Sequence, residues 1–562
     1  MKDITRILFF FSLAWIACAK QGFPPGGPVD KFPPEVVETF PAQGALGVGR
    51  NVTVQIRFDE RIQARDAADA VFISPYPGDD VKMKISGRNV QIRFPGPLLS
   101  DRTYVITLGT AIQDLRGNAL KKSFTLAFST GPVLDTGEID GRVYTDGKAL
   151  GLDVWAYLIG DSSKVRPGRN SPGYIVQCDD AGRFRFTHLA PGRYRLFAVR
   201  DRISDRLYQP MEDEIGMTFR DAWLRPENGF REDGFVFRTM VEDTIPPRLV
   251  RAGAVDPRRI VLQFSEPVRF DSVRTDWIRL ISVSDSLTPV RVETAYPDPE
   301  SERRVFAITA PLADGEAYRV SVDRVRDLSD NRMEREFSRT EFTARIDPDT
   351  TAPRLVRVFP EPESRDIPTE STIRLLFDEP MDTVSTEGVV LADSAGHPVA
   401  GTPAWISPPE WVFRPQRPLM SFASYMVRIK PDSVFDCAGN ALPDTGWGFR
   451  TLNVDTLGAL AGTVSDPDSL ARGAVYVSVF PTSVPEAKRT LRLDGPGPFE
   501  IARLFPGRYR LEAFRDEDGD GRYSHGSPWP YVPAERFVVH PDTLAVRSGW
   551  VREGFDLALP DR

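Results

Sequence analysis

The sequence predicts an all-β chain, a tandem array of five β-sandwich domains of about a hundred residues each. Three observations carry this expectation. Pro 49 and Gly 43 in 562 residues, with long helical apolar periods missing, favour many short strands and turns. Stretches such as Val52-Thr53-Val54-Gln55-Ile56-Arg57-Phe58 alternate apolar and polar side chains without a break, as a half-buried strand requires. Two sequence skeletons also recur, one three times and the other twice, which marks a modular chain.

The N-terminus comes first and stands apart from any sandwich. Lys2 and Arg6 precede the apolar run Ile7 to Ala17, broken only by Ser12. That run is too short to cross a hydrocarbon layer of about 30 Å as a helix but suits a signal peptide. It ends Ala17-Cys18, a small residue directly before cysteine, and so resembles a bacterial lipoprotein signal, with Trp15 where leucine is usual. The resemblance implies cleavage after residue 17, lipid on Cys18 and a membrane anchor for an otherwise soluble protein. Gln21 to Pro28, rich in Gly and Pro, reads as a flexible tether over 18–29.

The first domain is placed at 30–131. Pro33-Pro34 stiffens its start, Val54, Ile56 and Phe58 face one side, and Tyr104, Ile106 and Leu108 alternate again near its end. Between them and Phe128 lies Asp114-Leu115-Arg116-Gly117-Asn118. An Asp carboxylate there accepts a hydrogen bond from the backbone two residues on, and Gly tolerates positive φ, so the element reads as a turn. Its carbonyls and carboxylate also suggest ligands for a cation. The same skeleton returns at 243–345, with Ser265-Glu266 and Asp327-Leu328-Ser329-Asp330-Asn331, and at 348–452, with Asp378-Glu379 and Asp436-Cys437-Ala438-Gly439-Asn440. The intervals Asp59 to Asn118, Ser265 to Asn331 and Asp378 to Asn440 are nearly constant, which separates a repeat from coincidence.

The second skeleton occupies 137–240 and 455–562. Its landmarks are Asp179-Asp180-Ala181-Gly182-Arg183-Phe184, a hairpin signal, and Leu189-Ala190-Pro191-Gly192-Arg193-Tyr194. Pro191 to Arg200 and Pro506 to Arg515 agree in all but two positions.

The threefold skeleton resembles bacterial Ig-like domains of the S-layer-protein type. The twofold one is similar to the carboxypeptidase-regulatory or collagen-adhesin B-type fold, a prealbumin-like sandwich. The whole order resembles Ig-like-domain lipoproteins of Bacteroidota-like bacteria, which implies an outer-membrane lipoprotein, open to display at the cell surface, with no catalytic site and no obligatory cofactor.

Four histidines occur, none in a His-Glu-x-x-His arrangement, and no Gly-x-Ser-x-Gly elbow is present. Gly141 to Lys148 is one residue too long for a phosphate loop and has Ala149 where Ser or Thr must bind magnesium. The pairs Asp59-Glu60 and Asp378-Glu379 point to opposite strand faces, so each reads as strand-end charges that discourage edge association rather than as an acid–base pair. Besides Cys18 only Cys178 and Cys437 remain, in different domains, too few for a disulfide framework. Cys437 takes the slot of Leu115 and Leu328 and reads as a small buried hydrophobe.

The sharpest local candidate is Asp516-Glu517-Asp518-Gly519-Asp520-Gly521. Asp516, Asp518 and Asp520 fit the first half of a calcium loop, with glycine permitting the turn, although Ser527 stands where a bidentate Glu would close it. The competing reading is a solvated acidic turn. Trp529 and Tyr531 are ligand-contact candidates, as are Trp405 and Trp411, because aromatic faces suit sugars and protein surfaces. Scattered basic residues and a net charge of -8 argue against nucleic acid as a partner. The expectation is a non-catalytic, lipid-anchored envelope protein forming a structural or adhesive rod. The alternative is a surface lipoprotein binding a glycan or extracellular protein through its last domain, with calcium in support.

Overall fold

The computed structural model describes residues 31–64, 71–75, 81–160, 164–285, 287–384, 386–430, 432–484 and 487–562. Cys18, the apolar run before it and the tether 18–29 lie outside the described residues. The described chain is nearly all β, with a few 3-10 turns. It divides into two compact units. One holds the described residues up to Leu207 with Asp221–Thr239, the other Tyr208–Arg220 with Met240–Arg562.

In the first unit, strands Val36–Phe40, Thr53–Phe58, Asn89–Arg93 and Lys82–Ser86 form one sheet, in that order. Val71–Ser74, Thr103–Leu108 and Phe124–Ser129 form a second. The two share a core in which Val54, Ile56 and Phe58 are fully buried, the face that alternation selects. The next module pairs Gly137–Tyr144 antiparallel with Arg183–Leu189 and parallel with Arg231–Arg238. Asp153–Ile159, between Tyr174–Gln177 and Gly192–Arg200, supplies its other sheet.

Both arrangements recur in the second unit. Leu249–Asp256, Arg259–Phe264, Ser301–Thr309 and Val292–Asp298 repeat the first sheet order, as do Leu355–Phe359, Ile373–Phe377, Glu410–Pro415 and Gly401–Ser407. Gly458–Ser465 lies antiparallel to Gly497–Leu504 and parallel to Val551–Ala558, matching the second arrangement. Among the described residues each of these sheet arrangements encloses an apolar cluster of its own. The segment Tyr208–Arg220 is counted with the second unit. Within its unit Glu214–Met217 pairs with Met240–Val241, Ala534 donates its backbone N–H to the Thr218 carbonyl (3.1 Å), and Arg220 Nε reaches the Asp561 carbonyl (3.2 Å).

Two glycines explain how the parallel strand fits so closely. A Cβ on Gly141 would overlap the Phe235 carbonyl oxygen, and one on Gly462 the Phe555 carbonyl oxygen. Both sit where the register of the parallel pair shifts.

A second device recurs in the three modules of the first type. Tyr104, Tyr318 and Tyr425 each accept, at the hydroxyl, the backbone N–H five residues upstream, from Leu99, Ala313 and Met420, all at 2.9 Å. Each ring stacks on a Phe of the neighbouring strand: Phe128 at 5.9 Å, Phe342 at 5.8 Å and Phe449 at 5.7 Å. Tyr425→Phe keeps the ring and strands the Met420 N–H. It should cost about 0.5–1.5 kcal/mol and lower the module's Tm by a few degrees, read by calorimetry. An unchanged Tm would mean the latch contributes nothing.

The last module buries charge. Arg536 is fully inaccessible, with Nη1 and Nη2 on the two carboxylate oxygens of Asp466 (2.7 and 2.9 Å) and Nε on Glu517 (3.0 Å). Arg515, also buried, gives Nη1 to the same Asp466 (3.2 Å) and Nη2 to the Ala471 carbonyl (2.8 Å).

Candidate metal centres

The Asp-x-x-Gly-Asn element is a turn, built as its residues dictate. One Asp436 oxygen accepts the backbone N–H groups of Ala438 and Asn440 (2.8 Å each), and the other accepts the Asn440 side-chain amide (2.8 Å). Gly439 supplies φ 92. Asp114 repeats this with Arg116 and Asn118, and Asp327 with Ser329 and Asn331. In the middle copy Asp330 takes the glycine's place at φ 69. The Asn side chains also reach outward. Asn331 donates to the carbonyl of Asp243 (2.9 Å) and Asn440 to that of Asp349 (3.4 Å), tying the preceding linker to the turn.

The acidic pair at the strand end separates as alternation requires, but the inner residue is not an edge charge. Asp378 accepts the Arg354 backbone N–H (2.8 Å) and Nε (3.0 Å). Glu379 turns inward and is only 9% exposed. Its nearest acidic neighbours are Asp349 from the linker and Asp436 from the turn, and one carboxylate oxygen of each of the three lies within 4.8 Å of the others. Burial, then Asp349 and Asp436, push the Glu379 carboxyl up to about 8, with Arg259 opposing. Asp243, Glu266 and Asp327 form the same trio one module earlier, and burial with those two neighbours raises Glu266 as well. In the first module Glu60 and Asp114 hold the matching positions, and Asp30 lies outside the described residues. Sequence reasoning missed these trios. The available signal was an Asp four residues before the second proline of each linker, at Asp30, Asp243 and Asp349.

A third trio lies in the last module, and its membership differs from the one expected. Asp516 and Asp518 come together with Glu535, not with Asp520. Asp516 is engaged by the N–H groups of Gly519 (2.8 Å) and Gly521 (3.1 Å), and Asp520 by that of Arg522 (2.7 Å). Glu535 accepts the N–H groups of Glu517 (2.6 Å) and Ser524 (2.9 Å), and burial pushes its carboxyl up to about 7. Glu535 lies beyond Ser527, the position where the loop pattern seeks its closing ligand.

Trp529 and Tyr531 share a short hairpin, in which Ser527–Pro528 pairs with Tyr531–Val532. Trp529 is 41% exposed and Tyr531 half-buried. Trp405 and Trp411 instead belong to a core: Trp411 is 1% exposed and stacks on Phe413, and Trp405 packs on Phe377 at 5.7 Å. Cys437 corrects another expectation. It is exposed, as are Leu115 and Leu328 in the same slot, because that slot is the outward second position of the turn.

The geometry of turn, latch and paired sheets has a counterpart among known families. Residues 30–130 and 349–451 match the family model of the bacterial Ig-like domain. The chain thus carries Ig-like domains in tandem. The stretch 243–345, outside the matched residues, repeats their turn, latch and sheet order. No curated protein matches the chain. Among solved structures, the N-terminal part of the bacterial S-layer protein SbsC is 14% identical over 36% of this chain and 44% of its own, with a TM-score of 0.17. The SGBP-B protein of the Bacteroides ovatus mixed-linkage glucan utilization locus, solved with a mixed-linkage heptasaccharide, is 13% identical over 74% of this chain and 94% of its own, with a TM-score of 0.20.

Proposed function

We propose that this chain is a non-catalytic, lipid-anchored component of a bacterial outer membrane, with its tandem sandwich modules in a structural or adhesive role. One observation carries the reading. The residues repeated from module to module are those that hold turns and strand ends together, as Asp114, Asp327 and Asp436 do with backbone N–H groups and Tyr104, Tyr318 and Tyr425 do with theirs. What the chain repeats is scaffold. Cys18, directly after the apolar run, supplies the lipid attachment point. Cys18→Ala should abolish fatty-acid labelling of the expressed chain and release it from the membrane fraction. Labelling and membrane retention equal to wild type would overturn the anchor, and protease shaving of intact cells distinguishes surface from periplasmic exposure.

The exposed Trp529 favours a second reading, a glycan or extracellular protein bound at 455–562 with calcium in support. Saturable binding by the full chain on a glycan and matrix-protein panel, lost in Trp529→Ala, is its expected signature.

A further inference from the structure

We propose that Arg324 and Arg332, with Trp277 beside them, form a binding site for a doubly charged phosphate group, free or carried as a monoester. They line a cleft of about 560 Å³ in the module at 243–345, together with Arg269, Arg326, Asp271 and Asp330. Four guanidiniums thus meet two carboxylates, a surplus of two positive charges in a chain whose net charge is -8. The surplus is peculiar to this copy. Backbone pairing matches Arg326 and Arg332 to Gln113 and Ala119 in the first copy and to Phe435 and Ala441 in the last. Arg269 takes the place of Gln63 and Asp382, each one residue after the partner of the turn's Asp. Arg324 precedes Val325 as Ala111 precedes Ile112 and Ser433 precedes Val434, three residues whose carbonyls accept the same turn N–H. No sister position holds a basic residue.

Two of the arginines are already neutralised. Arg269 holds Asp271 through Nε (3.1 Å) and Nη2 (2.7 Å) and Asp330 through Nη1 (3.2 Å), and Arg326 holds Asp330 at 2.5 Å. The loss of the turn's glycine thereby gains a reason. Asp330 accepts φ 69, a conformation that costs Gly117 and Gly439 nothing, and its carboxylate ties Arg269 to Arg326. For Arg324 and Arg332, no carboxylate among the described residues lies within ion-pair distance. Arg332 stands directly across the bridge from Arg326, and like charges so placed repel. Arg324, at φ 60, lies over the Trp277 ring at 5.3 Å, which holds the guanidinium and leaves its N–H edge for an acceptor. The nearby Asp276 is bound by Arg274 at 2.9 Å, and Arg274 chiefly, with Arg324 at longer range, holds that carboxyl below its usual range. Trp277 is itself fixed, its carbonyl accepting the Asp323 N–H (3.0 Å) and its N–H donated to the Arg274 carbonyl (3.0 Å). Asp327, in the same turn, is buried and spends its oxygens on Ser329 and Asn331. Guanidinium forks match phosphate oxygens, and a phosphate monoester carries about -1.5 to -2 at neutral pH, the charge this cleft lacks. The site is independent of the lipid anchor and of Trp529.

The test is calorimetric titration of the full chain at pH 8 and fixed ionic strength with sodium phosphate, glucose 6-phosphate and sodium acetate, and co-sedimentation with phosphatidylcholine vesicles containing phosphatidic acid. Wild type should bind at least one of the three phosphates saturably, and Arg324→Gln and Arg332→Gln should each weaken that binding about 10–100-fold. Inorganic phosphate bound as tightly as the ester indicates the free ion, a tighter ester indicates a phosphorylated sugar, and binding to vesicles alone indicates a lipid headgroup. No saturable binding of any phosphate up to millimolar concentration, or equal binding by wild type and both variants, would overturn the site in favour of a solvated arginine face. Acetate bound as tightly as phosphate would overturn the assignment to a dianion. Melting separates binding from structure. Without phosphate Arg332→Gln should melt at or above wild type, since it relieves the repulsion with Arg326, and in saturating phosphate below it. An equal loss in both conditions would make Arg332 a structural residue and overturn its role. Should Arg332→Gln fail to fold by circular dichroism, Arg324→Gln is read by the binding criteria alone.

Discussion

Asp466→Ala should destabilise the last module by about 3–5 kcal/mol, seen as a lower denaturant midpoint at unchanged slope. The size follows from what the substitution leaves behind. Asp466 is the shared anion of Arg536 and Arg515, both buried, and it holds Arg536 through two bonds of 2.7 and 2.9 Å. Removing it strands one guanidinium with Glu517 and the Pro560 carbonyl, and the other with backbone carbonyls alone. Replacing all three members by apolar residues of similar volume should cost less than Asp466→Ala, since no buried charge is then left unpaired. A loss below about 1 kcal/mol for Asp466→Ala would mean that water reaches the arginines.

The second large effect is expected at Trp411. It is 1% exposed within a cluster that includes Leu375, Phe377 and Phe413, so Trp411→Ala should cost about 3–5 kcal/mol through lost contacts and the cavity left behind. Trp411→Phe separates packing from polarity. The indole N–H is buried and has no acceptor among the described residues. Phenylalanine removes that unsatisfied donor while keeping a ring, so its cost should fall well below that of alanine. Thermal melts of both variants decide it, and equal losses would assign the whole effect to ring size.

The sandwich fold was legible because it rests on local chemistry. Val54, Ile56 and Phe58 alternate in the sequence and are all fully buried, and the Asp436 turn follows from an Asp, a Gly and an Asn within five residues. The acidic trios were not legible for the opposite reason. Alternation correctly separates Asp378 from Glu379, yet it cannot say that the inner face holds two more carboxylates from segments remote in sequence. Glu535 completes a group begun at Asp516 by the same long-range return, so a loop pattern confined to consecutive residues selected Asp520 instead. Cys437 failed differently. Its slot is filled by leucine in the sister copies, but a turn's outward position exposes whatever occupies it, and leucine identity alone does not report burial.

The parallel pairing of Gly137–Tyr144 with Arg231–Arg238 has a mechanical meaning. The chain enters the module on the first strand and leaves it on the last, and both run the same way. Tension applied through the two ends therefore drags these strands past each other lengthwise. Their evenly spaced backbone bonds are loaded together in shear instead of being peeled one at a time. Gly141 lets the last strand lie close enough for that seam to form, so the smallest side chain in the module sits at the joint that would bear a pull.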